Sequence, residues 1–457
     1  MASRTASGRL VGVLAWLVAA PPVLAAQVPA AAAALRLSFA DAVRVASSEA
    51  PVVALAGLRA DEADARVRQT RAALLPSLSL VGSWLNRTFN SKSLGIDFSF
   101  PTGTGGPPAT LPELIGPFNL YDARVSASQA LFDWSSVARV RAARAQADGS
   151  HAERSVTVEG TALTAALAYL RAVRAQAVVA ARQADSAIAA ELVGLAEAQK
   201  AAGVSAAIDV TRARTQLVTA EGLLLVAKNQ LDRARIDLTR ALGIDPGTPL
   251  AFTDTLAATL GAAEVPAARD SLVAAGLANR PDLRAELARA GAARQSGAAI
   301  RAERLPRLEV GADYGVNGRT VPGAIATRDV TLQVSVPILD GFRREARLAE
   351  QDAVVRESRV RERDLRQQIA ADVDGALLDL HSAEAQQAVA AERLRLAAQE
   401  LSQSRERFKA GVAGNIEVID AQSNLIRARD TDIDARFAAA TARVSLARAA
   451  GVARTLH

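Results

Sequence analysis

Two pairs of prolines in this chain share one spacing. Pro51 and Pro281 stand 230 residues apart (281 − 51), and so do Pro76 and Pro306 (306 − 76). Proline fits the first turn of a helix, but in the interior it removes a hydrogen bond and clashes, so Pro51 with Pro76, and Pro281 with Pro306, each bracket a helix of about seven turns. A second offset governs the residues downstream. Leu131-Phe132-Asp133-Trp134 matches Ile338-Leu339-Asp340-Gly341 at a shift of 207 (340 − 133). Gly203-Val204 then matches Gly411-Val412, and Gly243 matches Gly451, at a shift of 208 (411 − 203 and 451 − 243). The difference of 23 (230 − 207) places an insertion in the first copy, around the Pro- and Gly-rich segment 101–117, which reads as a surface loop. The chain is one unit written twice, and its fold must be built from two like halves.

Most of each half reads as helix. No proline occurs from Trp134 to Asp245 or from Gly341 to the C-terminus, and Ala, Leu and Val recur there at three- and four-residue spacing. From Asp133 to Gly203 is 70 residues (203 − 133), which as straight helix spans about 105 Å. Asp133 and Asp340, where a strand pattern gives way to a helical one, are natural N-caps. Gly203 and Gly411 suit the turn that ends a helix, after which the chain returns along a second one. Each copy therefore holds a long helical hairpin, 133–243 with its tip near 203 and 340–451 with its tip near 411. Only 4% of the chain is aromatic, which favours long helices packed through small side chains over a large enzyme core. Taken alone, these runs would also fit a plain coiled-coil rod.

Ahead of each hairpin the period falls to two. Tyr121, Ala123, Val125 and Ala127 alternate with Asp122, Arg124, Ser126 and Ser128; Leu308 to Val316 alternate with Glu309 to Asn317; Val330 to Val336 alternate with Thr331, Gln333 and Ser335. A less regular strand over 77–85 places Leu78, Leu80 and Trp84 on one side. Strands with one apolar and one polar face are the pattern of membrane barrels, lipid-facing outside and wet inside. The two hairpins cover about 77–131 and 307–337. Four strands cannot close, and lipid offers no partner to an open edge, so several copies must share one barrel. Two copies would give a barrel plugged by its own side chains; three would give an open lumen.

The rest of the sequence narrows the class. Arg4 and Arg9 precede the apolar run Leu10–Ala20 and the small residues Ala25 and Ala26, the layout of a signal peptide over 1–26. The absence of cysteine excludes a disulfide framework, thiolate metal sites and a cysteine nucleophile. The net charge is +6, yet the arginines are scattered singly among nearly as many acids, so no nucleic-acid footprint emerges. Three histidines, at 151, 381 and 457, form no metalloprotease spacing, and no phosphate loop is present. An enzyme is not indicated, nor is a cofactor or a metal.

The order is thus signal peptide, first repeat over 37–245, linker over 246–270 and second repeat over 271–452. It resembles the TolC-like outer-membrane efflux family. The likeness rests on the Ala-Leu-Leu-Pro-Ser-Leu run at 73–78, Leu131-Phe132-Asp133, Ala202-Gly203-Val204 with Ile208-Asp209-Val210, Phe408-Lys409-Ala410-Gly411-Val412, and Glu417 to Gln422. The resemblance implies an α+β membrane protein: a homotrimer with a twelve-stranded barrel in outer-membrane lipid and a coiled-coil tunnel in the periplasm. It implies a passive duct of a tripartite efflux pump or type I secretion system, docked to a periplasmic adaptor and an inner-membrane transporter.

The family's acidic constriction at the tunnel tip falls here on Asp209, Glu417 and Asp420, and Gly203, Val204, Gly411 and Val412 fall at the adaptor end. Glu417 and Asp420 share a helix face by their spacing, although carboxylates so near a helix N-terminus also serve its dipole. Two positions depart from the family: Ala413 stands where a basic residue often ties the tip, and Phe408 where a tyrosine can supply a hydrogen bond. The competing class is a periplasmic coiled-coil adaptor with no pore.

Overall fold

The computed structural model describes residues 34–94, 99–100, 109–110, 112–256, 260–263, 265–266 and 268–456. The segment read as a signal peptide, 1–26, lies outside them, as does most of the insertion at 101–117. In chain order the elements are β1 (Leu35–Leu37), α1 (Phe39–Glu49), α2 (Pro51–Ala72), β2 (Ser77–Asn90), β3 (Ser99–Phe100), β4 (Ala109–Thr110), β5 (Leu114–Asp133), α3 (Trp134–Ala201), α4 (Ala207–Leu242), β6 (Leu250–Phe252), α5 (Arg269–Asn279), α6 (Pro281–Ala302), β7 (Arg307–Gly318), β8 (Ile325–Ser335), α7 (Arg343–Lys409) and α8 (Asn415–Ala449). Pro51 and Pro281 occupy the first turns of α2 and α6, where their missing N–H costs nothing.

β2, β5, β7 and β8 form one antiparallel sheet in that order, leaving β2 and β8 as its edges. The duplication reaches down to residue register. Ser77 pairs with Ser128 in the first hairpin and Arg307 with Ser335 in the second, reproducing both offsets, 230 (307 − 77) and 207 (335 − 128). One face of the sheet carries Leu78, Leu80, Trp84, Val125, Tyr314, Val330 and Leu332, all exposed. The other carries Ser79, Ser126, Asp313 and Asp329, with Arg124 hydrogen-bonded to Asp122 and to Asp313 at 2.8 Å.

Two strands run further than their alternation suggests. β2 continues to Asn90, and β5 already begins at Leu114, inside the segment read as a loop. The turn residues Gly116 and Pro117 sit where the β2–β5 register shifts between Arg87 and Phe89. That stretch of β5 lies beyond the reach of β7, whose pairing starts at Tyr121, so a residue without an N–H is tolerated there.

Below the sheet, α3 and α4 make one antiparallel hairpin and α7 and α8 the other. α2 packs on α3, α6 lies between α3 and α7, and α8 lies along α3. Where these helices meet near the chain ends, Ala162, Ala165, Ala166, Tyr169 and Leu170 of α3 pack with Phe39, Leu238, Ala440 and Val444. The alanines let the helix axes approach closely. α3 also contains an 18-residue stretch with mean hydropathy 1.2, apolar enough by composition to cross a membrane. Its deepest residues are those of this core, so core packing accounts for the composition.

The linker does more than connect: β6 within it pairs in parallel with β1, Leu35 opposite Leu250, joining the two ends of the first repeat. Tyr169 anchors that junction. Its ring packs edge-on against Phe39 and Phe252 at 5.7 and 5.5 Å, and its hydroxyl lies 2.8 Å from Asp254 Oδ2 and 2.9 Å from the Leu37 carbonyl.

The two strand-to-helix junctions differ. Asp133 is the N-cap of α3, its carboxylate accepting from Ser136 N–H at 3.0 Å. Asp340 does not occupy the corresponding position, because α7 opens later, with Phe342 in left-handed conformation as its N-cap. Two successive residues at positive φ, Gly341 and Phe342, delay the helix, and Asp340 instead reaches forward to accept from Arg344 N–H at 3.2 Å and Arg344 Nε at 2.8 Å.

Candidate aperture at the helix tips

Both hairpins turn on a glycine in left-handed conformation, Gly203 at φ 75° and Gly411 at φ 71°, which spares the cost a side chain would incur there. The following valines, Val204 and Val412, are exposed, as are Ile208 and Ile416 one turn on. Each tip thus presents the same small apolar pair at its end.

The three acidic residues at the tips differ in how they are held. Asp209 reaches back to accept from Ala206 N–H at 3.2 Å and lies 3.8 Å from Arg212. Glu417 is paired with Arg407 across its own turn at 3.2 Å. Both therefore serve their own helix starts. Asp420 is exposed and has no hydrogen-bond or ion-pair partner among the described residues.

The hairpins are tied to each other by amides, which sequence reading missed. Asn415, almost fully buried, donates to the Asp209 carbonyl at 2.8 Å, and Gln199 donates to the Phe408 carbonyl at 2.6 Å. Phe408 contributes its backbone oxygen while its ring fills an apolar cluster with Leu192, Leu401 and Val418. Phe408 thus holds the tip through a main-chain tether and through burial of its ring.

Further from the tips the seam between α3 and α8 carries buried charge. Asp185, 2% exposed, is held by Arg182 at 3.0 Å and by Arg429, while Arg182 forks onto Asp430 at 2.7 Å. Burial opposes the charge on Arg182, but its bonds to Asp430 and Asp185 outweigh that and hold its pKa above the ordinary arginine value. Arg174 binds Asp434 higher up, at 2.6 Å. A signal for this seam was present in the sequence: Asn415, Gln422, Arg429 and Arg436 recur every seven residues, a polar stripe where a seam position would ordinarily be apolar.

An amphipathic four-stranded sheet carried on two long helical hairpins is the layout of an outer-membrane export channel. The family model for outer membrane efflux proteins matches residues 42–244 and 272–452, one segment for each copy of the repeat, and the chain belongs to that family. Among its relatives, protein CyaE of Bordetella pertussis is 24% identical over 423 residues, 91% of this chain and 84% of that protein. The pyoverdine export outer membrane protein OpmQ of Pseudomonas putida is 26% identical over 342 residues, covering 72% and 70%. The Campylobacter jejuni CmeC outer membrane channel shares the fold with a TM-score of 0.75 at 15% identity, over 91% of this chain and 86% of that one. The CusC channel does so with a TM-score of 0.74 at 19% identity, over 90% and 92%.

Proposed function

We propose that three copies of this chain close a twelve-stranded barrel in the outer membrane and a helical tunnel beneath it, forming the passive exit duct of a tripartite efflux pump or type I secretion system. The observation that carries this reading is the sheet with one apolar and one wet face and two unpaired edges. In lipid each unmade backbone hydrogen bond costs several kcal/mol, in order of magnitude, so the edges must be closed. Three copies supply twelve strands, a count that leaves a lumen.

At the far end, Asp420 faces no neutralising partner among the described residues, and threefold symmetry would repeat it as a ring of carboxylates able to attract cations to a constriction. Asp209 and Glu417 would stiffen that ring from behind. Val204 and Val412, with the glycine turns that expose them, offer six small apolar contacts per trimer to a periplasmic adaptor, which would couple the duct to an inner-membrane transporter.

Light scattering of the detergent-extracted protein, with detergent subtracted, tests the assembly; a mass near three chains is expected, and a single chain would overturn it. Conductance of the assembled protein in planar bilayers tests the tip. Asp420→Asn should reduce cation preference, and an unchanged reversal potential would remove Asp420 from the constriction.

A further inference from the structure

The duplication carries information about a contact that one chain cannot make. Within the chain, β5, the second strand of the first copy, pairs with β7, the first strand of the second copy. The strands in the same roles at the open edges are β8 and β2. The same offsets that relate the two hairpins residue by residue therefore convert the internal β5–β7 ladder into a β8–β2 ladder between copies. We infer that β8 of one copy pairs with β2 of a second copy in a single register, with Leu332 opposite Trp84, Gln333 opposite Ser83 and Asp329 opposite Arg87. This rests on the reading that several copies close the sheet, and it specifies how they meet.

The mapping is direct. Val125 pairs with Tyr314, Ser126 with Asp313 and Asp122 with Asn317. Adding 207 to the first member and subtracting 230 from the second gives the three intermolecular pairs (125 + 207 and 314 − 230 for Leu332 and Trp84).

Three independent features fit this register. Faces agree: Leu332 and Trp84 both lie on the apolar side, and Asp329 and Arg87 both lie on the polar side. Charges agree as well. Asp329 stands directly opposite Asp313, whose carboxylate is taken by Arg124, and neither Asp329 nor Arg87, which rests over the Phe118 ring at 5.9 Å, has an ion-pair partner among the described residues. A second copy places each beside the other. Finally, the register accounts for the apolar run after β8. Val336 and Leu339, the latter 77% exposed, correspond to Gln129 and Phe132, which in the first copy are still paired with β7. In the second copy their partners would be Leu80 and Leu78 of the neighbour, themselves the most exposed leucines of β2.

The helical layer repeats the relation. α6 buries Ala285 (3% exposed), Ala292 and Ala299, with Ala299 against Ala138 of α3. The equivalent positions of α2, at an offset of 230 (285 − 55), are Leu55 (56% exposed), Glu62 and Gln69, an open face in the isolated chain. Since α7 holds in the second copy the place of α3 in the first, that face meets α7 of the neighbour.

The chain has no cysteine, so paired cysteines report the register cleanly. Directly opposite antiparallel residues bring Cβ atoms to roughly 4.5–5.5 Å, close to disulfide reach. Within one chain, Ser83 and Gln333 lie on strands separated by β5 and β7, at least about 14 Å apart at the usual strand spacing, so any bond formed joins two copies. Assembled protein carrying Gln333→Cys with Ser83→Cys should shift on mild oxidation from single chains to covalently linked multimers on a denaturing gel. Gln333→Cys with Val81→Cys, slipped by two residues, should not.

A mass of one chain in detergent would defeat the closure reading itself. A mass near three chains with linkage at Val81, or at neither position, would overturn the register alone. As an independent check, Asp329→Arg should lower the temperature at which the assembly dissociates, and adding Arg87→Asp in the same chain should restore it. A double variant no better than the worse single one would overturn the charge pairing.

Discussion

The α3–α8 contact is made twice over in different materials. Near the chain ends it is mainly apolar: Tyr169, Leu170 and Val173 of α3 pack with Ile433, Ala440 and Val444 of α8, and the Tyr169 hydroxyl among them is satisfied by Asp254. Toward the tips, Leu192 and Leu425 still contribute, but the seam also encloses Asp185, Gln422 and Asn415. An apolar contact gains its stability from leaving water, which cannot replace what was lost when it opens. A seam of amides and ion pairs can exchange its partners for water at a small net difference. The same two helices are therefore locked at one end and more readily separated at the other.

That contrast can be broken from the locked end with the largest effect. Tyr169→Ala removes two edge-on ring contacts and leaves the Asp254 carboxylate short of a donor. We expect a loss of about 3–5 kcal/mol, seen as a lowered unfolding midpoint and poor recovery of assembled protein. In the releasable half, Asp185→Asn leaves Arg429 facing an uncharged amide and should cost about 2–3 kcal/mol. Hydrogen exchange should locate the damage, rising over 415–430 while 162–173 stays protected; equal rises in both would show that the halves are one unit.

A smaller change should run the other way. Gln422 Oε1 is buried with no partner among the described residues, and its Nε2 makes only a long bond, 3.4 Å, to the Asp185 carbonyl. Gln422→Leu should therefore be neutral or raise stability by up to about 1 kcal/mol, and a clear drop in the thermal midpoint would contradict this.

The smallest effect is expected from acid. At the start of α6, burial raises the Asp282 pKa, but its bonds to Arg280 outweigh that and hold it below the usual 3.8. A carboxylate with a depressed folded pKa contributes fully above its unfolded pKa and loses that contribution as pH falls through the folded one. Urea midpoints of the wild type and Asp282→Asn should thus keep a constant difference from pH 7 to 5 and converge only below 3.8. Convergence already at pH 5 would be inconsistent with the depressed value.

Much of this architecture could be read from local residues. Prolines at 51 and 281, glycines at 203 and 411 and the change of period around Asp133 each act on the backbone within a few residues of themselves. The tips were less legible. Asp209 and Glu417 look alike in sequence to Asp420, yet the first two are engaged by Ala206 N–H and Arg407, and Asp420 has no such partner among the described residues. Asp340 matches Asp133 by position, but Gly341 and Phe342 at positive φ postpone the helix beyond it. The pairing of Asp185 with Arg429 joins positions 244 residues apart, and no periodicity within either helix names the other.

The duplication and the types of the main elements are written in local residues, because turns, caps and hydrophobic period are short-range effects; where β2, β5 and α7 begin or end is not. Local residues also determine which face of each strand is apolar, since the side-chain period of a strand is two. That β5 meets β7 with Val125 opposite Tyr314, that β1 joins β6, and that the α3–α8 seam is mainly apolar above and more charged below emerge only from the folded chain. Those choices depend on packing between segments distant in the chain, where many registers satisfy the same local pattern and only one fills space and pairs its buried charges.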